Sequence, residues 1–222
     1  MKRIFILAVI MAMVSGFSVQ AHAALSNLGT DNLGNRLIYD SDLDITWYDY
    51  TKSPATWWNQ MNWASALTVN FGGNVYDDWR LPSTVDGTYV YGKNGNTTGG
   101  YNITSSEMGH LFYTELGNKG FYDTSGNSTG CSDSSPYCLT NTGDFQNLQP
   151  YYYWSGTEYA ANPFDAWNFL TNDGVQFVDN KGVGNFAIAV RPGLAVVPEP
   201  VSMILFGTGG VVLAARRKLL KW

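Results

Sequence analysis

Two histidines, two cysteines and eighteen carboxylates are the groups through which this chain could do acid–base, nucleophilic or metal chemistry. His22 lies in an apolar N-terminal stretch, which leaves His110 in the body of the chain. His110 sits between Met108 and Leu111 in a segment of helical apolar spacing, with no Ser-Asp pattern beside it. It reads as an ordinary helix residue rather than the base of a Ser/His/Asp set. Carboxylates are plentiful, but no spacing singles out a general acid. Cys131 and Cys138 enclose a polar hexapeptide that offers no basic neighbour to lower a thiol pKa and no His or further Cys to complete a metal set. A local disulfide is therefore expected, with a metal or redox pair as the rival. Asp40-x-Asp42-x-Asp44 spaces oxygen ligands on alternate residues, as calcium loops do. The Gly and Glu that would complete such a loop do not follow, so a solvated turn is the stronger reading and calcium the sole cofactor candidate.

Charge narrows the partners. Of 13 Lys and Arg and 18 Asp and Glu, the residues Lys2, Arg3, Arg216, Arg217, Lys218, Lys221 and Glu199 lie in the two ends. Residues 24–198 keep seven cations and seventeen anions, a net charge of −10. Nucleic acid is excluded as a partner, because phosphate neutralisation needs clustered Lys and Arg. Arg80 and Arg191 lie in motifs with Trp and Pro. Each guanidinium is expected to be buried and forked onto a carboxylate such as Asp77 or Asp78, its stem against Trp79 or Trp154. The alternative is contact with an anionic sugar.

The ends of the chain speak of export. Lys2 and Arg3 precede an apolar run from Ile4 to Val14, and Ala21-His22-Ala23 supplies a small-x-small cleavage site, so residues 1–23 read as a signal peptide cut after Ala23. At the other end, Pro198 and Pro200 hold Val197-Pro198-Glu199-Pro200 extended. Residues 201–215 are uncharged, and Arg216, Arg217 and Lys218 follow. As a helix this run reaches about 22 Å against roughly 30 Å of hydrocarbon, a short transmembrane anchor with its basic end held in the cytoplasm. A buried core helix is the other reading of so short a run.

Between the ends the pattern is α+β. Leu37–Asp40 and Leu43–Trp47 read as strands around an Asp-rich turn. Ser53-Pro54 opens a helix expected to reach Val69, with Trp57, Met61, Ala64 and Leu67 on its core side and Gly72-Gly73 beyond its end. Residues 86–101 read as a loop or loose hairpin. Thr104-x-x-Glu107 is a capping box before a second helix with Met108, Leu111, Phe112 and Leu116 on one stripe and Gly117 as its stop. Gly109 inside that helix costs about 1 kcal/mol against Ala, which points to close packing there. Strands are expected over Tyr151–Ser155, Ala166–Leu170, Val175–Val178 and around Phe186, Ile188 and Val190, the middle two joined by a hairpin at Asp173-Gly174.

Two resemblances follow from these motifs. The Val-Pro-Glu-Pro segment, the apolar run with its glycines, and Arg216-Arg217-Lys218 resemble the PEP-CTERM sorting signal of Gram-negative bacteria. That resemblance implies an exosortase-type membrane protease as partner and cleavage near Glu199. It also implies a transient inner-membrane anchor, delivery to the cell surface or extracellular matrix, and an association with exopolysaccharide and biofilm. Asp78-Trp79-Arg80-Leu81-Pro82, Tyr153-Trp154-Ser155-Gly156-Thr157, Ala166-Trp167, Asp173-Gly174 and Ala189-Val190-Arg191-Pro192 resemble, in that order, the Lcl C-terminal (DUF1566) family. It implies one C-type-lectin-like or formylglycine-generating-enzyme-like domain over residues 24–193, ahead of a sorting tail at 194–222. It also implies structural roles for Trp79, Arg80, Pro82, Trp154, Trp167 and Arg191. Trp58, Tyr89, Tyr91, Tyr151 and Tyr152 fall outside those motifs and are the candidates to stack on sugar rings. The expectation is a non-enzymatic surface or matrix protein that binds exopolysaccharide, against an extracellular polysaccharide hydrolase or a purely structural spacer.

Overall fold

A computed structural model describes residues 24–132, 134–135 and 137–196. The signal peptide, the Val-Pro-Glu-Pro segment and the 201–215 anchor lie outside the described residues. Strands β1 (Leu25–Thr30), β2 (Arg36–Asp40) and β3 (Ile45–Ala55) form an antiparallel meander. Helix α1 (Trp57–Ser65) and the hairpin β4 (Val69–Phe71) and β5 (Asn74–Tyr76) come next. The short strands β6 (Tyr91–Gly92) and β7 (Gly99–Gly100) precede helix α2 (Glu107–Gly109), which continues without a break as a π-helical segment, His110–Glu115. Strands β8 (Tyr152–Glu158), β9 (Asp165–Leu170), β10 (Val175–Asn180) and β11 (Asn185–Pro192) complete the domain. Nine strands make one sheet in the order β1-β2-β3-β11-β8-β9-β10-β7-β6. The β11–β8 and β6–β7 pairs are parallel and the rest antiparallel. An α+β class is present in a sheet-rich form with little helix, but the sheet, expected antiparallel and mostly late, already takes in β1–β3 ahead of the first helix and carries two parallel pairs.

Both faces of the sheet are covered, and side-chain alternation shows how. On one face Ile38, Trp47, Tyr153, Phe169, Ile188 and Val190 pack under Met108, Leu111, Phe112 and Leu116. On the other, Leu37, Tyr48 and Ala189 meet the β4–β5 hairpin, while Trp154, Ala166 and Ala187 meet α1 through Ala64, Trp57 and Met61. Residues Ala187–Val190 are all fully buried, so β11 reads as a continuous apolar run rather than an alternating one. A loop near residue 145 closes the first core. Buried Asp49 accepts from the backbone N–H groups of Gln146 (2.8 Å) and Asn147 (3.0 Å), and its burial pushes the carboxyl pKa up against the pull of those two bonds.

Three boundaries depart from the sequence reading. Ser53 and Pro54 belong to β3, not to a helix start; α1 begins at Trp57, and Thr56 caps it without a side-chain bond. The ladder steps from Ala187↔Lys52 to Asn185↔Ala55, so β3 carries an extra residue there. Pro54 lies in that bulge, where a missing N–H costs no ladder bond. Val69 is in β4 rather than at a helix end. Gly72 and Gly73, both at positive φ (59° and 84°), form the two-residue turn of the β4–β5 hairpin. The third concerns α2. Ser106, not Thr104, is its N-cap, and its Oγ accepts from Gly109 N at 3.0 Å. The Glu107 carboxylate does not reach back to Thr104, because it takes Arg80 in a two-bond fork and the Ser83 N–H besides.

The expected disulfide joins Cys131 and Cys138. Cys138 is buried and its N–H donates to Asn172 O, so the bridge ties the polar 131–138 loop to the β9–β10 turn. A cleft of about 220 Å³ opens beside it, lined by Gly117, Lys119, Thr129, Cys131, Cys138 and Thr140. Closing so short a loop is worth roughly 2 kcal/mol in chain entropy. The double variant Cys131→Ser/Cys138→Ser is expected to lower the urea midpoint by that stability with its slope nearly unchanged. An unchanged midpoint would show that the loop's own hydrogen bonds suffice.

Candidate functional site

Among the described residues, a cluster of chemically active side chains lies where the β2–β3 turn meets the π-helical segment. Donor atoms of Asp40, His110 and Glu115 all fall within 4.8 Å of one another. Asp40 ends β2 and is fully buried. Its Oδ1 accepts from Asp42 N and Leu43 N, both at 3.1 Å, which fixes the carboxylate on its own turn. Its Oδ2 has a longer contact, 3.4 Å, from the Trp47 indole N–H.

The other two groups come together because the helix changes its pitch. After α2 the backbone bonds from Leu116 N to Leu111 O, five residues back, at 2.9 Å. That wider turn places His110 Nε2 2.9 Å from Glu115 Oε1. In a regular α-helix residues five apart stand roughly 140° round the axis and do not meet. π-helical turns of this kind recur at functional sites. Both side chains are largely covered, at 15% exposure for His110 and 5% for Glu115. Burial pushes the Glu115 carboxyl above its usual range, and the Asp40 charge adds to this, while His110 pulls it back. Two carboxylates and one imidazole in a partly dry setting can share a proton or hold a cation. His110, expected to be an ordinary helix residue, and Glu115 are thus brought into one cluster, and no α-helical pattern could have signalled it.

The solvated-turn reading of Asp40-Asp42-Asp44 fits the exposed Asp42 and Asp44 but not Asp40, which is fully buried. Asp40 points inward, while Asp44, at a positive φ of 51°, accepts from the Tyr39 hydroxyl at 2.9 Å.

The two motif arginines are each forked onto a carboxylate. Arg191 donates to both oxygens of Asp78 (2.8 and 3.0 Å) and stands over the Tyr76 ring, which holds the Asp78 carboxyl below the usual range. Arg80 forks onto Glu107 at 2.7 Å per bond, not onto Asp77 or Asp78, and its side chain is 41% exposed rather than buried. The reason is geometric. Arg80 pairs in the backbone with Val190, which aims its side chain toward the start of α2, while Asp78 lies beside Arg191. Around these pairs, Trp79 Nε1 donates to Tyr76 O, Ser155 Oγ to Pro82 O, Trp154 Nε1 to Ala55 O and Trp167 Nε1 to Asp86.

The five candidate sugar-stacking residues occupy three neighbourhoods. Trp58 is half exposed on α1, within cation–π distance of Lys181, itself buried against Glu158 and the Pro163 carbonyl. Tyr89 packs on Trp167, and Tyr91, 51% exposed, stands edge-on to Tyr101. Tyr151, 46% exposed, stands edge-on to both Tyr152 and Phe186, and Tyr152 to Phe177. The structure does not gather them into a single platform.

Among the described residues no helix is long and apolar enough to cross a membrane. No curated protein and no solved structure matches the chain. The PEP-CTERM protein-sorting motif matches residues 196–218, beginning at the last described residue, Val196, whose N–H donates to Tyr76 OH. Signals of this kind are recognised by exosortase, a membrane protease, and the folded body described above is therefore the cargo of an exported protein sorted at the membrane on its way to the cell surface.

Proposed function

We propose that this chain is a non-enzymatic surface or matrix protein whose lectin-like domain, released by exosortase, binds the neutral sugar rings of an exopolysaccharide in biofilm. The observation that carries this reading is the aromatic group at the start of β8. Tyr151 presents nearly half its surface to solvent, while Tyr152 and Phe186 brace it edge-on and Phe177 stands edge-on to Tyr152 in turn. A tyrosine held by other rings offers a rigid apolar face with a polar rim, the form that stacks on pyranose rings at low entropic cost. Neutral rather than acidic sugar follows from charge. Arg36, Arg80, Lys181 and Arg191 are each engaged with a carboxylate, and the domain around them is strongly acidic. An anionic polymer would be repelled.

The test is a binding screen of the full chain, in mild detergent, against neutral and acidic polysaccharides, including that of the producing cell. Saturable binding to a neutral polymer is expected, weakened at least tenfold by Tyr151→Ala/Tyr152→Ala and unaffected by moderate salt. If no polymer binds, or if the double variant binds as tightly, the structural-spacer reading takes its place.

A further inference from the structure

The Asp40–His110–Glu115 cluster has the composition and spacing of a metal site. Its ligands come from a β-turn and from one wide helical turn seventy residues later, so the fold, not local sequence, assembles them. A divalent transition ion sits about 2.0–2.2 Å from its nitrogen and oxygen ligands, which sets donor–donor separations of about 3.4 Å in a tetrahedron. The present spread of up to 4.8 Å, with one contact already at 2.9 Å, meets that by side-chain shifts of about 1 Å. Asp40 is anchored by two backbone N–H bonds, and the π-helical turn holds the other two side chains in register. A preformed carboxylate with one lightly used oxygen is what an ion needs. The charge balance agrees, since two carboxylates face at most one imidazolium and exposed Asp42 adds a further negative charge nearby. One imidazole with two carboxylates suits zinc or manganese better than calcium, which prefers an all-oxygen shell of six or more ligands.

We propose that Asp40, His110 and Glu115 bind one divalent transition ion of the zinc or manganese class. The ion joins the β2–β3 turn to the helical segment across the rim of the larger core, and its remaining positions are open to water on the partly exposed His110 side. This site stands apart from the sugar-binding reading and does not depend on it.

The test is titration calorimetry of Zn²⁺ and, separately, Mn²⁺ into the full chain in mild detergent, free of added histidine tags. One ion per chain is expected, with at least tenfold weaker binding in His110→Ala and in Glu115→Gln, which keeps the side-chain shape. The saturating ion is also expected to raise the thermal midpoint of the parent chain and not that of His110→Ala. The assignment is overturned if neither ion binds at one per chain, if both variants bind as tightly as the parent, or if Ca²⁺ binds there in preference to both.

Discussion

Gly109→Ala is expected to destabilise the domain by about 3 kcal/mol, although helix propensity alone predicts a gain of about 1 kcal/mol from the same change. A Cβ at position 109 would lie 2.0 Å from the Ile103 carbonyl oxygen and 2.8 Å from Ser106 Oγ. The first of these is backbone and cannot swing aside. Overpacking of this kind costs about 1–3 kcal/mol. The shift it forces also strains the bond from Gly109 N to Ser106 Oγ, the cap of α2, worth typically ~1 kcal/mol. The measurement is the urea midpoint of parent and variant at equal slope. A midpoint that stays or rises would mean that the segment from Ile103 to Ser106 yields freely, and the close packing described here would be wrong.

Trp154→Ala is expected to cost about 4 kcal/mol, enough to leave little folded protein in a domain of ordinary stability. The ring is fully buried in the middle of the sheet, where its neighbours Ala64, Leu81, Ala166 and Ala187 are too small or too fixed to fill the space it would leave. Its indole N–H donates to Ala55 O at 3.1 Å, so the variant also strands a carbonyl beside the start of α1. Trp58→Ala is the control. That ring is half exposed, and its loss should change stability by no more than about 0.5 kcal/mol. Comparable losses in the two variants, by calorimetry or denaturant, would contradict the division between core and surface tryptophans.

Much of the late sheet was legible in the chain because its signals are local. Asp173-Gly174 between two apolar runs marks the β9–β10 hairpin, and Gly174 has the positive φ (84°) that such a turn asks of it. The apolar stripe of Met108, Leu111, Phe112 and Leu116 and the stop at Gly117 needed only the helical period. What was not legible depends on partners far away in sequence. The capping-box pattern at Thr104 was overruled by Arg80, which takes Glu107 from across the fold. Pro54 looks like a helix start until the bulge opposite Ala187 is known. Of the candidate site, Asp40 carried a signal through its Asp-rich turn, but His110 and Glu115 stand at a spacing that an α-helix keeps apart. Only the change to π-helical bonding unites them.

The position of β11 has a consequence for the order of events during export. This strand is the last of the described residues' sheet to be made, yet it lies between β3 and β8 and carries the backbone pairing that joins the sheet's two halves. Until residues 185–192 have crossed the membrane, neither half can complete its hydrogen bonds or its core. The apolar run of the tail begins nine residues after Pro192, so the sorting motif follows directly on the strand that closes the sheet. A chain exported unfolded would therefore keep its sheet open until its last strand had crossed, with the sorting motif close behind.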